Sequence, residues 1–359
     1  MNWSYNVPIK FYEYSLEELK IRLKELDDNI LLIASKRVID TFNFDVSNFQ
    51  VLDKSLSNPD IHLVDETLDK ISKPDLIVAI GGGSSIDLAK AVSALYEYKN
   101  QDVLELIKSK RYLENENYIP IVAVPTTAGT GSECTKWATI WDMDNLKKYS
   151  VDADYLYPSE SWMVPELTCT MDYDLTLSTG LDALAHAMES YWANASNSYT
   201  RILARVSIRI ISEYLPLVLE DLDNLEYRQK MLMGSFFAGL AFSNTRTTAS
   251  HSISYPLTMI YGINHGFAVA ITLFEVLKRN WEHLEEKELF LEAFNVNSLD
   301  EILLWFSNIS DNNINLKHFG VKEEEIPQIV KFATTGGRMD NNPIVFNEKE
   351  IQDILNNCY

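Results

Sequence analysis

The chain has 359 residues, 46% of them hydrophobic, which at ~150 residues per domain is enough for about two domains with separate cores. Lys plus Arg number 31 and Asp plus Glu 52, a formal charge of −21. A surface so acidic repels a phosphate backbone and an anionic membrane, so no nucleic-acid or membrane partner is expected, and any anionic ligand needs basic groups placed locally against the global field.

Cys134, Cys169 and Cys358 contain no CxxC pair and are odd in number, which argues against a disulfide framework. Met1-Asn2-Trp3-Ser4 lacks the basic start and apolar run of a secretory signal. The most apolar stretch of the C-terminal half, Phe267 to Leu277, is interrupted by Glu275 and too short to span a bilayer. The expectation is a soluble, cytoplasmic protein.

In chain order, Ser15 to Leu26 has helical apolar spacing, Ile30 to Ala34 and Gln50 to Leu52 read as strands, and Ile61 to Ile71 reads as a second helix. Leu76 to Ile80 is a third strand. It runs into Gly81-Gly82-Gly83-Ser84, which opens a helix through Ser85-Ile86-Asp87-Leu88-Ala89-Lys90. Ile121 to Val124 is a fourth strand, followed by Pro125-Thr126-Thr127-Ala128-Gly129-Thr130-Gly131-Ser132-Glu133. This alternation predicts βαβ units around a parallel sheet. Trp137 to Trp141 and Tyr149 to Ala153, with Asp142 to Asn145 between them, read as an antiparallel hairpin beside that sheet. Tyr157 to Pro165 reads as the passage between domains, and from about Leu175 the pattern is long helices. The expected domains are therefore 1–165, α/β, and 166–359, helical, sharing a rigid cleft.

Two loops at strand ends carry a first functional signal. Glycines after a strand let backbone N–H groups and a helix N-terminus close on an anion, although such a turn can also merely reverse the chain. A second loop of small hydroxyl residues, at the carboxyl end of another strand, strengthens the ligand-binding reading. The spacing is not G-x-G-x-x-G. A second signal is Asp182 and His186, one helical turn apart, followed by His251 and His265. One oxygen and three nitrogen ligands suit Fe²⁺, Zn²⁺ or a similar divalent ion, while a helical Asp/His pair alone can be a plain hydrogen bond. His62, His283 and His318 stand in polar contexts and read as solvated.

The segments GGGSSIDLAK (81–90), PTTAGTGSE (125–133), STGLDALAHAMESY (178–191) and ASHSISYPLTMIYGINHG (249–266) together resemble the iron-dependent, group III alcohol dehydrogenase family over nearly the whole chain. The resemblance implies a dinucleotide-binding α/β domain, an all-helical C-terminal domain and a divalent metal in the cleft between them, the architecture shared with dehydroquinate synthase. It assigns Asp182, His186, His251 and His265 to the metal. Gly82, Gly83, Ser84, Asp87, Thr126, Thr127, Thr130 and Lys148, with Ser35 at the next strand end, fall to NADH or NADPH. The implied chemistry is hydride transfer between nicotinamide and an aldehyde polarised by the metal.

Three departures refine this expectation. Where many members carry a proton-relaying histidine, this chain has Tyr255. Where members selecting NAD often place an acidic residue, Ser35-Lys36-Arg37 offers two cations and no carboxylate, which leans towards NADPH with NADH open. Arg246 stands where relatives have a small residue, and Arg338 follows Gly336-Gly337 ahead of Asn341-Asn342-Pro343, at a position that lines the substrate pocket in relatives. Two such arginines suit a phosphoryl-type dianion, or alternatively pair with acidic neighbours. With Asn244, Phe242 and Trp137 they form the expected substrate-binding set.

The run NTRTTASHSISYPLT (244–258) with the later GGR…NNP resembles the phosphonoacetaldehyde reductase branch, which makes 2-hydroxyethylphosphonate. The expected substrate is thus a small anionic aldehyde. A neutral aldehyde or alcohol of the lactaldehyde, propanediol or butanol type, a dehydroquinate synthase-like cyclisation and a non-catalytic relative are the alternatives. A homodimer is left open.

Overall fold

Ile30 to Ala34, Ile77 to Ile80 and Ile121 to Val124 are buried on both faces, the setting in which a strand reads as an unbroken apolar run. The structure, a computed structural model, describes residues 7–26, 29–53, 59–145, 147–333 and 338–359. Met1 to Ser4 and the Gly336-Gly337 pair lie outside the described residues. In chain order the strands are β1 (Lys10–Glu13), β2 (Ile30–Ala34), β3 (Gln50–Leu52), β4 (Leu76–Gly81), β5 (Ile121–Pro125), β6 (Trp137–Asp142), β7 (Lys147–Asp152) and β8 (Glu160–Met163). Six of them form one parallel sheet in the order β1-β8-β5-β4-β2-β3. Val78 stands beside Leu32 on one side and Val122 on the other. β6 and β7 form the expected antiparallel hairpin as a separate sheet, with Trp137 opposite Asp152.

The helices of this unit are α1 (Leu16–Lys24), α2 (Lys36–Phe42), α3 (Ile61–Lys70), α4 (Gly83–Leu95) and α5 (Val103–Ser109). Alternate residues of the central strands feed two cores. Leu31, Ile33, Ile77 and Ala79 meet Leu68 of α3 and Ile86 and Ala89 of α4. Ile30, Leu32, Val78 and Ile80 pack with Leu19 and Leu23 of α1 and with Trp162. One expectation is corrected. Tyr157 to Pro165 is not simply a connection, because it contains β8, which is inserted between β1 and β5 and buries Trp162 completely. Ser35-Lys36-Arg37 forms the start of α2, with the Ser35 hydroxyl accepting from the Val38 N–H at 3.3 Å.

The first unit ends at Thr170 and the second starts at Met171, a few residues beyond the division drawn from the sequence. Leu167, in the 3₁₀ segment Pro165–Thr170, packs into the first unit's core with Val164. The second unit holds α6 (Tyr173–Trp192), α7 (Ser198–Glu220), α8 (Leu225–Thr245), α9 (Ala249–Tyr261), α10 (His265–Asn280), α11 (Lys287–Phe294), α12 (Leu299–Ser310), α13 (Ile326–Phe332) and α14 (Glu348–Asn357). Among the described residues it contains no strand. No helix of the described residues is long and apolar enough to cross a membrane.

Candidate metal centre and nucleotide loops

α6 starts at Asp172, whose carboxylate accepts from the Leu175 N–H at 2.9 Å, and runs buried from Leu181 to Trp192. Its 3.6-residue turn stacks Asp182 and His186 on one buried face. His251 comes from the first turn of α9 and His265 is the first residue of α10. Gly266 explains how His265 reaches α6: a Cβ there would overlap the carbonyl of Ser178, so only glycine lets the two backbones touch. Asp182 Oδ1 lies 3.5 Å from His251 Nε2, 3.9 Å from His265 Nε2 and 4.0 Å from His186 Nε2. Asp182, His186 and His251 offer ligand atoms that all lie within 4.8 Å of one another.

The donor set fits a divalent ion. Asp182 Oδ1 is buried and meets the hydrogen-bond criterion with no partner among the described residues, although imidazole nitrogens surround it. His186 Nε2 and His251 Nε2 face each other at 3.0 Å, so the two lone pairs converge. Burial pushes the Asp182 carboxyl up, but His186, His265 and His251 outweigh it and hold the group well below the usual carboxylate range. The ring of Phe242 stacks on His186 with centroids 4.1 Å apart, walling that side with apolar surface.

Glu189, which the sequence reading missed, orients this group. Fully buried, its Oε1 accepts from the Ser250 and His251 backbone N–H groups at 2.8 and 3.4 Å. Oε2 takes the Thr248 N–H at 2.9 Å and sits 2.6 Å from His251 Nδ1. An ionised carboxylate only accepts, so Nδ1 carries the imidazole proton and Nε2 keeps its lone pair for the metal. Burial raises the Glu189 carboxyl, yet His251 and these hydrogen bonds outweigh it and keep the group ionised. The available signal was its register, two turns after Asp182 on the same helical face.

In the first unit, Gly82 caps α4 and the Thr126 N–H donates to the Gly81 carbonyl at 3.0 Å. A Cβ on Gly83 would stand 2.6 Å from Thr130 Oγ1, and one on Gly82 would stand 3.3 Å from Thr127 Oγ1. The two loops thus lie directly against each other, bringing Ser84, Thr126, Thr127 and Thr130 to adjacent strand ends. Asp87 acts inside this joint: Oδ1 accepts from the Ser132 hydroxyl at 2.6 Å and Oδ2 from the Thr139 N–H at 2.8 Å. Lys90, fully buried, donates to the Ser132 and Trp137 carbonyls and to the hydroxyls of Ser132 and Thr135 at 2.7 to 3.0 Å. Burial lowers its pKa to about 8. Lys148 of β7 lies over the Trp141 ring at 5.5 Å.

At the end of β2 a carboxylate does stand, contrary to the sequence reading. Asp53, just past β3, accepts from the Lys36 N–H at 2.6 Å, and Arg37 turns its Nη2 to the Thr170 carbonyl at 2.9 Å. One of the two expected cations therefore has a protein partner, and an acidic group occupies the turn.

Tyr255 is buried; burial raises its pKa more than Arg338 lowers it, so it stays a phenol. Its ring lies parallel to His265, with centroids 6.5 Å apart, and the Arg338 guanidinium sits over it at 5.1 Å. Arg246 is exposed and ends α8 with φ 61° and ψ 179°. Asn244 donates its amide back to the Leu240 carbonyl at 2.8 Å, and Trp137 belongs to β6 of the first unit. His62, His283 and His318 are exposed, His62 beside Asp144 at 2.9 Å.

Residues 7–163 match the family model for iron-containing alcohol dehydrogenase, and residues 176–359 match that for the C-terminal part of the Fe-containing alcohol dehydrogenase family. A choline dehydrogenase of Bacillus subtilis (strain 168) is 31% identical over 84% of this chain and 78% of its own length. An NADPH-dependent butanol dehydrogenase of Clostridium saccharobutylicum is 31% identical over 80% and 77%. Among solved structures, a sulfoacetaldehyde reductase from Bifidobacterium kashiwanohense in complex with NAD+ superposes with a TM-score of 0.89 at 28% identity, covering 100% of this chain and 99% of that one. The chain belongs to the iron-containing alcohol dehydrogenase family, and is an NAD(P)-dependent alcohol dehydrogenase or aldehyde reductase that works with a divalent metal.

Proposed function

We propose that this enzyme reduces a small aldehyde bearing a tetrahedral anionic group, phosphonoacetaldehyde foremost, to the corresponding primary alcohol. The observation that carries the reading is the Arg338 guanidinium over Tyr255, itself stacked beside His265, in a protein of charge −21. A cation held there against the global field is what an anionic substrate needs at the reacting end of the site. Arg246 is the second arm of the clamp. That the structural relative from Bifidobacterium kashiwanohense is a sulfoacetaldehyde reductase supports an anionic aldehyde as the class, and makes the sulfonate the second reading.

Reduction adds a hydride to the aldehyde carbon and a proton to its oxygen. A bound divalent ion supplies Lewis-acid polarisation and the nicotinamide supplies the hydride. Asp182, His186, His251 and His265 hold the metal, with Glu189 fixing the tautomer of His251. Tyr255, kept protonated by burial, holds a proton beside the site and is the candidate relay. Phe242 and the buried face of α6 exclude water. The two strand-end loops hold the dinucleotide, with Asp87 and Lys90 locking them together from beneath. Asp53 favours NADH, because its carboxylate repels a 2′-phosphate at the end of β2.

The test is anaerobic turnover by the Fe²⁺-loaded enzyme with phosphonoacetaldehyde, sulfoacetaldehyde, lactaldehyde and propionaldehyde. A preference of about a hundredfold in kcat/KM for an anionic aldehyde, lost in Arg338→Ala, is expected, since removing one partner of a desolvated charge contact costs ~2–5 kcal/mol. Arg246→Ala should cost less, because the residue is exposed. Equal or better turnover of the neutral aldehydes would sink the clamp.

A further inference from the structure

We infer that Asn341 is a positioning residue that holds both arginines in register and so sets the preference for an anionic substrate. This inference rests on the clamp proposed above.

Arg246 has φ 61° and ψ 179°, a backbone region that only glycine enters without strain. A side chain there persists only if its surroundings hold it. The Arg246 N–H donates to the Phe242 carbonyl at 2.7 Å, closing α8, and the Thr245 hydroxyl donates to the Arg246 carbonyl at 2.9 Å. A further grip comes from the Asn341 amide. Asn341 Nδ2 donates to the Thr245 carbonyl at 2.8 Å and to the Thr247 carbonyl at 3.1 Å, spanning the strained residue from both sides.

The same residue is tied to the second arginine: its backbone N–H donates to the Arg338 carbonyl at 3.0 Å. Its own position is fixed from a third direction. Its carbonyl accepts from the Asn194 N–H at 2.8 Å, and its Oδ1 accepts from the Ala195 N–H at 3.2 Å, just past the end of α6. Asn341 therefore joins the end of α6, the Arg246 turn and the Arg338 segment in a single node. Asparagine suits this place because its amide combines two donors with an acceptor, which neither aspartate nor alanine can supply.

The experiment compares wild type, Asn341→Asp, Asn341→Ala, Arg246→Gly and Arg246→Gly/Asn341→Ala. Asn341→Asp keeps the acceptor for Ala195 and deletes both donated bonds. The melting temperature of each metal-free variant and, by calorimetry, the affinity of the product 2-hydroxyethylphosphonate are measured. KM for phosphonoacetaldehyde and propionaldehyde is measured alongside. Asn341→Asp should weaken phosphonate binding at least tenfold while KM for propionaldehyde moves less than twofold. Asn341→Ala should lower the melting temperature by about 4 °C in wild type and by less than half as much beside Arg246→Gly, where the strain is gone.

Equal melting-temperature losses in the two backgrounds overturn the inference, as does an Asn341→Asp enzyme that still binds the phosphonate normally or loses both substrates alike. If wild type shows no preference for anionic aldehydes, the substrate reading falls and takes the specificity role of Asn341 with it. The melting-temperature coupling then still reports whether Asn341 restrains Arg246.

Discussion

Replacing Glu189 by glutamine probes the support of the metal group without changing the size of the side chain. Each carboxylate oxygen receives a pair of donors, Ser250 and His251 N–H on one, Thr248 N–H and His251 Nδ1 on the other, and the Thr248 hydroxyl adds a further bond. An amide must turn its NH₂ towards one of these pairs. Facing the backbone pair, it leaves two buried N–H groups without an acceptor. Facing the other, it strands the Thr248 N–H and drives the His251 proton from Nδ1 to Nε2, into the metal group. Each unpaired buried donor costs about 1–3 kcal/mol, so the metal-free Glu189→Gln protein should lose about 1–3 kcal/mol in urea unfolding with one donor stranded and about 2–6 kcal/mol with two. Loss of a carboxylate behind a metal-binding histidine typically weakens metal binding by about 10–100-fold, which competition for Zn²⁺ with a chromophoric chelator reads directly. A variant within about 0.5 kcal/mol of wild type, an effect typical of surface substitutions, that also binds Zn²⁺ within twofold would refute this account of Glu189.

The remaining predictions concern the first unit. Asp53→Asn keeps an acceptor for the Lys36 N–H and removes the charge, so the ratio of NADPH to NADH affinity in a nucleotide fluorescence titration should rise by about tenfold, or ~1.4 kcal/mol. An unchanged ratio excludes Asp53 as the selector. Burial pushes Glu133 up to about 7, against the opposing effects of its own N–H and of Lys90. From its ordinary 4.5 to about 7 the folded chain holds a proton that the unfolded chain has lost, so folding stability falls as pH rises through that window, by ~3 kcal/mol in all. Glu133→Gln should flatten that slope in denaturant titrations between pH 4.5 and 7, and a parallel slope would contradict the burial argument.

The sheet centre was legible because β2, β4 and β5 are buried on both faces and so are written as unbroken apolar runs. β1 and β8 were not, since KFYE and ESWM are short and mix charge with aromatic residues. α2 buries no residue fully; Val38, Ile39 and Phe42 pack only partly against the core, and two turns are too few to stand out as a helical pattern. Asp182 and His186 could be paired from helical spacing alone, whereas the residues left the grouping of His251 and His265 with them open until the resemblance was drawn, because nothing local says that α9 and α10 fold back onto α6. Glu189 was hidden by its chemistry: a glutamate in a helix reads as a solvated residue until the N–H groups it receives are seen. Asp53 was missed for a topological reason. The carboxylate at the end of β2 comes from the neighbouring strand and lies well downstream in sequence.

Asp182 and His265 sit on different helices, with α7, α8 and α9 strung between them. An ion gripped by both closes about 80 residues into a ring, a constraint that for a covalent link of that length is worth ~4 kcal/mol. Cys134, Cys169 and Cys358 form no disulfide, so an ion held by the proposed ligands would cross-link the chain where no covalent bridge does. Unlike a disulfide it needs no oxidant to form, and a strong chelator undoes it. The lifetime of the protein against proteases should therefore track the metal supply of its surroundings, with starved chains cut first in the segments that the ring had tethered.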